Sequence, residues 1–221
     1  IETKVWQELS VGKEHRRPAE AAETEGHLAE LALRRWDWLL AGNEELGRWV
    51  SRLRFLHKAA PKWPLLTEEQ IRQGLEQACY GENSLAAVRG KPLVPYFDNI
   101  LPEDHRQALE RECPASWVVP SGSRLRIQYS EEQGPAVEVR LQELFGLLNQ
   151  PNVAGQPLTL FLLAPNYRPV QVTRDLASFW KNAYGEVRKE MRLRYPKHSW
   201  PEDPLTAPPQ AKGRARGSVP G

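Results

Sequence analysis

The amino-acid sequence predicts an α+β chain. It has an N-terminal helical part, then a small, mainly antiparallel sheet of about four strands packed against a long C-terminal amphipathic helix. Three observations predict it. Apolar residues recur at helical spacing before residue 115, they alternate at period two between 124 and 141, and one apolar stripe at helical spacing returns after residue 173. The 221 residues are 40% apolar and 26% charged, which excludes a disordered or collagenous chain. They suffice to bury a core without disulfides.

The elements follow in order. Residues 1–9 are expected as one strand around Val5 and Trp6, and residues 10–26 as a polar linker or loose helix start. From His27 to Ala41 the side chains of Leu28, Leu31, Ala32, Trp36 and Leu39 fall near a 3.6 period, until Gly42-Asn43 breaks it. Leu46, Trp49, Val50, Leu53 and Leu56 mark a stronger helix, ended by Pro61 and Pro64. Thr67-Glu68-Glu69-Gln70 has the capping-box pattern and opens a helix burying Ile71, Leu75 and Ala78. Pro102-Glu103-Asp104 opens another, with proline in the first turn and two carboxylates facing the positive end of the helix dipole; Pro114 closes it.

The character then changes. Trp117-Val118-Val119 reads as a short strand and Pro120-Ser121-Gly122-Ser123 as a turn. Arg124 to Tyr129 alternates, with Leu125, Ile127 and Tyr129 inward. Ala136 to Leu141 alternates again, with Val137, Val139 and Leu141 inward. A Gly-containing loop joins the two, so an antiparallel hairpin is expected. A helical turn follows at 142–148. Leu158 to Leu163 is apolar on both faces, as for a strand covered on two sides. After the turn Asn166-Tyr167-Arg168-Pro169 comes a strand at Val170-Gln171-Val172. Thr173 is expected to cap one long helix whose stripe runs through Leu176, Phe179/Trp180, Ala183, Val187 and Met191 to Pro196. The segment 194–204, with three prolines and two aromatics, reads as an extended strap. Residues 205–221 read as a disordered basic tail.

Function classes narrow by exclusion. No run approaches 18 apolar residues, so no membrane insertion is expected. The chain starts at Ile1 without signal-peptide character or a starting Met, which reads as a fragment. Cys79 and Cys113 are far apart and lie at no metal spacing, so a reducing, cytoplasmic setting is the simplest reading. No phosphate-cradling loop, dinucleotide fingerprint, His-Glu-x-x-His or Gly-x-Ser-x-Gly is present. Cys113 as a nucleophile would need a histidine brought near by the fold; a small buried residue is the plainer reading. The five histidines are scattered, and catalytic and metal sites are expected to be absent.

Charge is the positive signal. The net charge is +2, but residues 181–221 carry nine Lys/Arg against four Asp/Glu, leaving the first 180 residues net acidic. Arg124, Arg126 and Arg140 lie on the outward face of the predicted hairpin. Arg174 follows the next strand, and Lys181, Arg188, Lys189, Arg192, Arg194 and Lys197 lie on or just beyond the last helix. Together they are the candidate nucleic-acid contacts, since guanidinium and ammonium groups position phosphates. The competing reading is a solvated surface with Glu–Lys/Arg pairs such as Glu190 to Arg194. Trp200 or Tyr195 could stack on a base; core or cap packing is the default for both.

Four blocks carry a resemblance: Val119 to Arg124, Val139 to Gly146, Arg168 to Leu176, and the proline segment Arg194 to Pro204. In this order they resemble the C-terminal region of the bacterial HrpB-type DEAH-box ATP-dependent helicases. The match runs from about Leu46 to Pro208 and is closest over 117–207. The resemblance implies a parent protein that is an RNA-dependent ATPase and RNA helicase, with ATP and Mg²⁺ bound by an upstream motor and no cofactor in this chain. It divides the chain into 1–26, the end of an oligonucleotide-binding-fold-like region with its linker; 27–115, helical; 116–204, the α+β C-terminal domain; and the tail 205–221. The implied partners are the helicase core of the same polypeptide, RNA or another nucleic acid, and a possible protein partner. The expected role is accessory: nucleic-acid contact, regulation of the motor, or docking of another protein.

Overall fold

The computed structural model describes residues 18–211, with side chains from residue 26 onward. The strand expected at 1–9 and the tail residues 212–221 lie outside the described residues. The chain divides into two compact units, one formed by residues up to 47 together with 66–101, the other by 48–65 and 102 onward.

The first unit is helical. Helix α1 (Pro18–Arg34) begins nine residues before the expected His27, because Pro18 is pre-set for a first turn and Ala and Glu propagate the helix. A break at Arg35 separates it from α2 (Trp36–Gly42). Asn43 explains the next break. Its Oδ1 accepts from Leu46 N at 3.0 Å, starting α3 (Glu44–Ala59), while its Nδ2 donates to the carbonyls of Arg89 and Lys91 at 2.8 and 2.9 Å.

The capping box at Thr67 forms in both directions and opens α4 (Glu68–Cys79). Two five-residue helices, α5 (Leu85–Arg89), capped by Ser84, and α6 (Val94–Asp98), complete the unit. Gly74 sits inside α4, where glycine costs about 1 kcal/mol relative to alanine. A Cβ there would come within 2.5 Å of the Phe97 ring, so the close approach of α6 requires it. Phe97 in turn meets Trp36 edge-on at 5.3 Å.

The second unit starts with the remainder of α3. Arg52, buried on α3, donates to the carbonyl of Cys113 at 2.7 Å and to Glu110 at 2.6 Å, holding α7 (Glu103–Glu112) beside it. Phe55 packs on Tyr129 at 5.3 Å.

The expected strand 124–129 is two strands. β1 (Ser116–Val118) pairs with β2 (Arg124–Arg126) as a separate ribbon. At Ile127 the chain turns inward, its N–H bonding Ala115 O at 3.1 Å, and β3 (Gln128–Ser130) joins the main sheet. That sheet has the order β3-β4-β7-β8, with β4 at Gly134–Arg140, β7 at Thr159–Leu163 and β8 at Pro169–Thr173. Two of its three pairings are antiparallel, and β4–β7 is parallel. Both faces of β7 are largely covered, as its sequence requires.

Between β4 and β7 lie a 3₁₀ turn at Leu141–Leu144 and a small hairpin, β5 (Asn152–Val153) with β6 (Gln156–Pro157). Its two-residue loop, Ala154-Gly155, has positive φ at both residues, the geometry that matches strand twist.

The single C-terminal helix is corrected to two, α8 (Leu176–Asn182) and α9 (Tyr184–Arg194), broken at Ala183. The break turns Tyr184 inward, where it meets Trp180 edge-on at 5.2 Å and donates its hydroxyl to Pro201 O at 2.8 Å. The cap is Asp175, accepting from Ser178 N at 2.8 Å; Thr173 ends β8 instead and bonds Asp175. Leu176, Phe179, Trp180, Tyr184 and Met191 share one core with Val137, Val139, Leu160 and Leu162 of the sheet.

The chain after α9 returns to this core. Trp200 is buried, its indole N–H donating to Tyr195 O at 2.9 Å. Gly146 N donates to Pro204 O, and Gln210 N to Gln142 O, each at 2.9 Å. The disordered tail expected from 205 is therefore corrected up to residue 210. Backbone pairing and the contact of Ala207 with the core hold it.

Two outcomes are expected in denaturation experiments. Trp180→Ala removes a buried indole that also donates to Leu147 O at 2.7 Å, and should cost about 3–5 kcal/mol in urea unfolding. His105 is 3% exposed and stacked on Trp63 at 5.4 Å. Burial pulls its pKa below the ordinary histidine value, against the opposing pull of Asp104. The unfolded chain then binds a proton that the folded one refuses, so this stability contribution is full above the unfolded histidine pKa and is lost as pH falls below it. Melting temperature should drop between pH 7 and 5, and drop less in His105→Gln.

Candidate nucleic-acid interface

The ten cations singled out by sequence separate into those spent on the fold and those left on the surface. Arg140 is the clearest correction. Alternation along β4 places it outward, yet it is 8% exposed. It is the last residue of β4, and the 3₁₀ turn that follows brings Glu143 under it: Arg140 Nε donates to Glu143 Oε1 at 2.9 Å. Glu143 is itself buried and accepts from the hydroxyl of Ser121 at 2.8 Å. The Tyr167 ring lies over the guanidinium, 5.8 Å from its centre. A charge so enclosed does not reach a phosphate.

Arg188 and Arg174 are also engaged. Arg188, on α9, donates to Trp200 O and pairs with Glu202, both at 3.0 Å. Arg174 joins β7 to the β3–β4 turn, donating to Thr159 Oγ1 at 3.0 Å and to Gln133 O at 2.7 Å. Arg124 is exposed, with one bond to Ser116 Oγ at 3.1 Å. Lys189 and Arg194 pair with Glu186 and Glu190 on their own helix at 2.7 and 3.2 Å, both pairs largely in solvent. Such pairs contribute little stability, so their cations remain exchangeable.

Arg126, Lys181, Arg192 and Lys197 are exposed, with no side-chain partner among the described residues. The structure thus gathers Lys189, Arg192, Arg194 and Lys197 on and just beyond α9, around Leu193, which is 85% exposed. Arg124 and Arg126 sit apart, on the β1–β2 ribbon.

The other candidates of the sequence resolve simply. Cys113 is fully buried, and burial pushes its thiol up to about 12, which makes it an inert core residue. Trp200 is buried and already hydrogen-bonded, so it packs rather than stacks on a base. Among the described residues, no group of three or more His, Cys, Asp or Glu could hold a metal ion, and no helix is long and apolar enough to cross a membrane. Sequence reasoning missed the partners Ser121, Glu143 and Tyr167. The signal was the i, i+3 spacing of Arg140 and Glu143 just past an alternating strand.

The blocks that carried the resemblance meet in the fold. The 119–124 turn bonds Glu143, Gln142 Nε2 donates to Ser199 O at 3.2 Å, and Gly146 reaches Pro204. The arrangement defines an α+β region, a four-stranded sheet closed by two helices and a returning segment. It is the fold of a helicase C-terminal region. A crystal structure described as E. coli DExH-box NTPase HrpB superposes with a TM-score of 0.64 at 40% identity, over 78% of this chain and 22% of that one. A second, of Escherichia coli DEAH/RHA helicase HrpB, gives 0.56 at 40% identity over 71% and 21%.

The sequence model of the HrpB family described as "ATP-dependent helicase C-terminal" matches residues 74–204. The ATP-dependent RNA helicase HrpB of Escherichia coli (strain K12) is 39% identical over 219 residues, 93% of this chain. The chain therefore belongs to the HrpB helicase family, as its C-terminal region. It spans about a quarter (27%) of the length of that curated relative.

The buried pair gives the test of this site. Arg140→Ala leaves Glu143 charged and enclosed, and should cost about 3–5 kcal/mol in urea unfolding. Replacing both together, Arg140→Met with Glu143→Leu, should recover most of that loss. Nucleic-acid affinity of the folded double variant should equal that of the original chain.

Proposed function

We propose that this chain is the accessory C-terminal region of a cytoplasmic ATP-dependent RNA helicase, and that it contributes nucleic-acid contact to a motor lying elsewhere in the polypeptide. ATP and Mg²⁺ belong to that motor; no cofactor is assigned to this chain. The observation that carries the reading is the cation cluster of α9: Lys189, Arg192, Arg194 and Lys197 are solvent-exposed around the exposed Leu193. Exposed cations on a rigid helix meet phosphates without disturbing the core, and the helix is rigid because Tyr184 and Met191 anchor its other side. The relative's name, ATP-dependent RNA helicase, supplies the class of nucleic acid.

The test is fluorescence anisotropy of a labelled 20-nucleotide poly-U strand against the 221-residue chain at several salt concentrations. Four neutralised phosphates on a single strand give a slope of log K against log salt of about −3. Replacing Arg192, Arg194 and Lys197 by alanine should reduce the slope by about 2 and weaken binding at low salt. Absence of binding at 50 mM salt, or a triple variant that binds unchanged, overturns the reading.

A further inference from the structure

We propose that the free edge of β8 is a docking site for an extended segment of a partner protein, one that pairs as a fifth strand and carries acidic residues at both ends. The proposal goes beyond the nucleic-acid reading and does not use its residues. Among the described residues, β8 is the outermost strand on its side of the sheet. An unpaired strand edge offers a row of backbone donors and acceptors, and proteins ordinarily blunt it with charge or proline. Here proline stands only at the first position, Pro169, and Val170 to Thr173 contain no charge.

The sheet face beside this edge is open as well. Val172 is 50% exposed and lies in register with Phe161 of β7, which lies in register with Glu138 of β4. A groove of about 360 Å³ runs over Val172 and Phe161, lined also by Ala136, Thr159 and Arg174 among others. A strand added to β8 would place one side chain beside Val172, at the mouth of that groove. An apolar, β-branched residue fits there.

Charge selects the occupant. Arg168 and Arg174 flank the strand, both exposed; Arg174 is held through Nε and Nη2 by Thr159 Oγ1 and Gln133 O but keeps its charge at that end of the strand. Two copies of β8 paired antiparallel in the register that matches all five strand residues would set Arg168 opposite Arg174 at both ends. That like-charge contact disfavours self-association. The same two arginines favour a strand with a carboxylate at each end, which turns both repulsions into attractions.

The test uses the 221-residue chain and the heptapeptide Glu-Thr-Val-Thr-Val-Thr-Glu, followed by ¹⁵N amide shifts. The peptide should shift the amides of Val170 to Thr173 and their neighbours in β7. It should bind at least ten-fold more tightly than Lys-Thr-Val-Thr-Val-Thr-Lys. Val172→Lys, at an exposed position, should abolish binding while the rest of the spectrum stays unchanged, and Arg168→Glu, which leaves one positive and one negative end, should abolish the preference between the two peptides.

Equal affinity for both peptides, or no shift at millimolar peptide, overturns the proposal. So does movement of the same amides by the poly-U strand, which would make this a nucleic-acid face, or by raised protein concentration alone, which would make the occupant a second copy. Binding by this chain that vanishes in the full-length parent would assign the strand to the parent's own polypeptide, also against the proposal. None of these outcomes bears on binding through α9, which the α9 variants report separately.

Discussion

The buried pair of Arg140 and Glu143 is the constraint around which the second unit is built. Two charges taken out of water are costly unless their geometry is good and their remaining atoms are bonded. Glu143 meets that condition with Arg140 on one oxygen and Ser121 on the other, whereas Arg140 Nη2 is buried with no hydrogen-bond partner among the described residues. Satisfying it fixes where β4 ends, since the 3₁₀ turn must begin at once to bring Glu143 back under Arg140. The turn then delivers Leu141, Leu144 and Phe145 into the core. Phe145 meets Trp180 and Tyr184 at 6.3 and 6.4 Å. Gly146, at φ +84°, turns the chain so that its N–H reaches Pro204. One ion pair thus sets the end of the sheet, the seat of the helices and the path of the returning segment.

Much of the architecture was legible in the sequence because its causes are local. A capping box is read within four residues, and the helix at Thr67 forms with both of its bonds. The apolar run of β7 told correctly that most of the strand is buried, although Phe161, on the face away from the helices, is only half-buried beside an open groove. What was not legible depended on partners distant in sequence. The helix break at Ala183 has no proline and no glycine at the break itself; it exists because Tyr184 gains Trp180 and Pro201, residues 4 before and 17 after it. The split of 124–129 at Ile127 follows from a bond to Ala115 and leaves the alternation intact across it. The β5–β6 hairpin had a readable signal in its two-residue Ala154-Gly155 loop, but strands of two residues are too short to show alternation.

The candidate site was legible as composition and not as geometry. Sequence counts every Lys and Arg alike, whereas the fold spends Arg140, Arg174 and Arg188 on joining elements. Arginine suits that task, because its planar group donates to several acceptors at once. Arg188 illustrates it by holding a backbone carbonyl and a carboxylate of the returning segment together. The cations left in solvent have no side-chain partner or only an exposed one, and four of them, Lys189, Arg192, Arg194 and Lys197, gather on and just beyond α9, most of them around its last turn. That is also where positive charge suits the negative end of the helix dipole.

The sheet separates the two surfaces for which functions are proposed. Successive residues of a strand point to opposite faces. Val137, Val139, Leu160 and Leu162 enter the core that they share with α8 and α9. The residues between them, Ala136, Glu138 and Phe161, therefore face away from those helices, and Ala136 and Phe161 line the open groove with Val172. The cations of α9 lie beyond the helices on one side, and the β8 edge and its groove open on the other. A nucleic acid on the first surface and a polypeptide strand on the second need not compete for space. Each can be weakened by substitution without touching the Arg140–Glu143 pair that both surfaces depend on for their position.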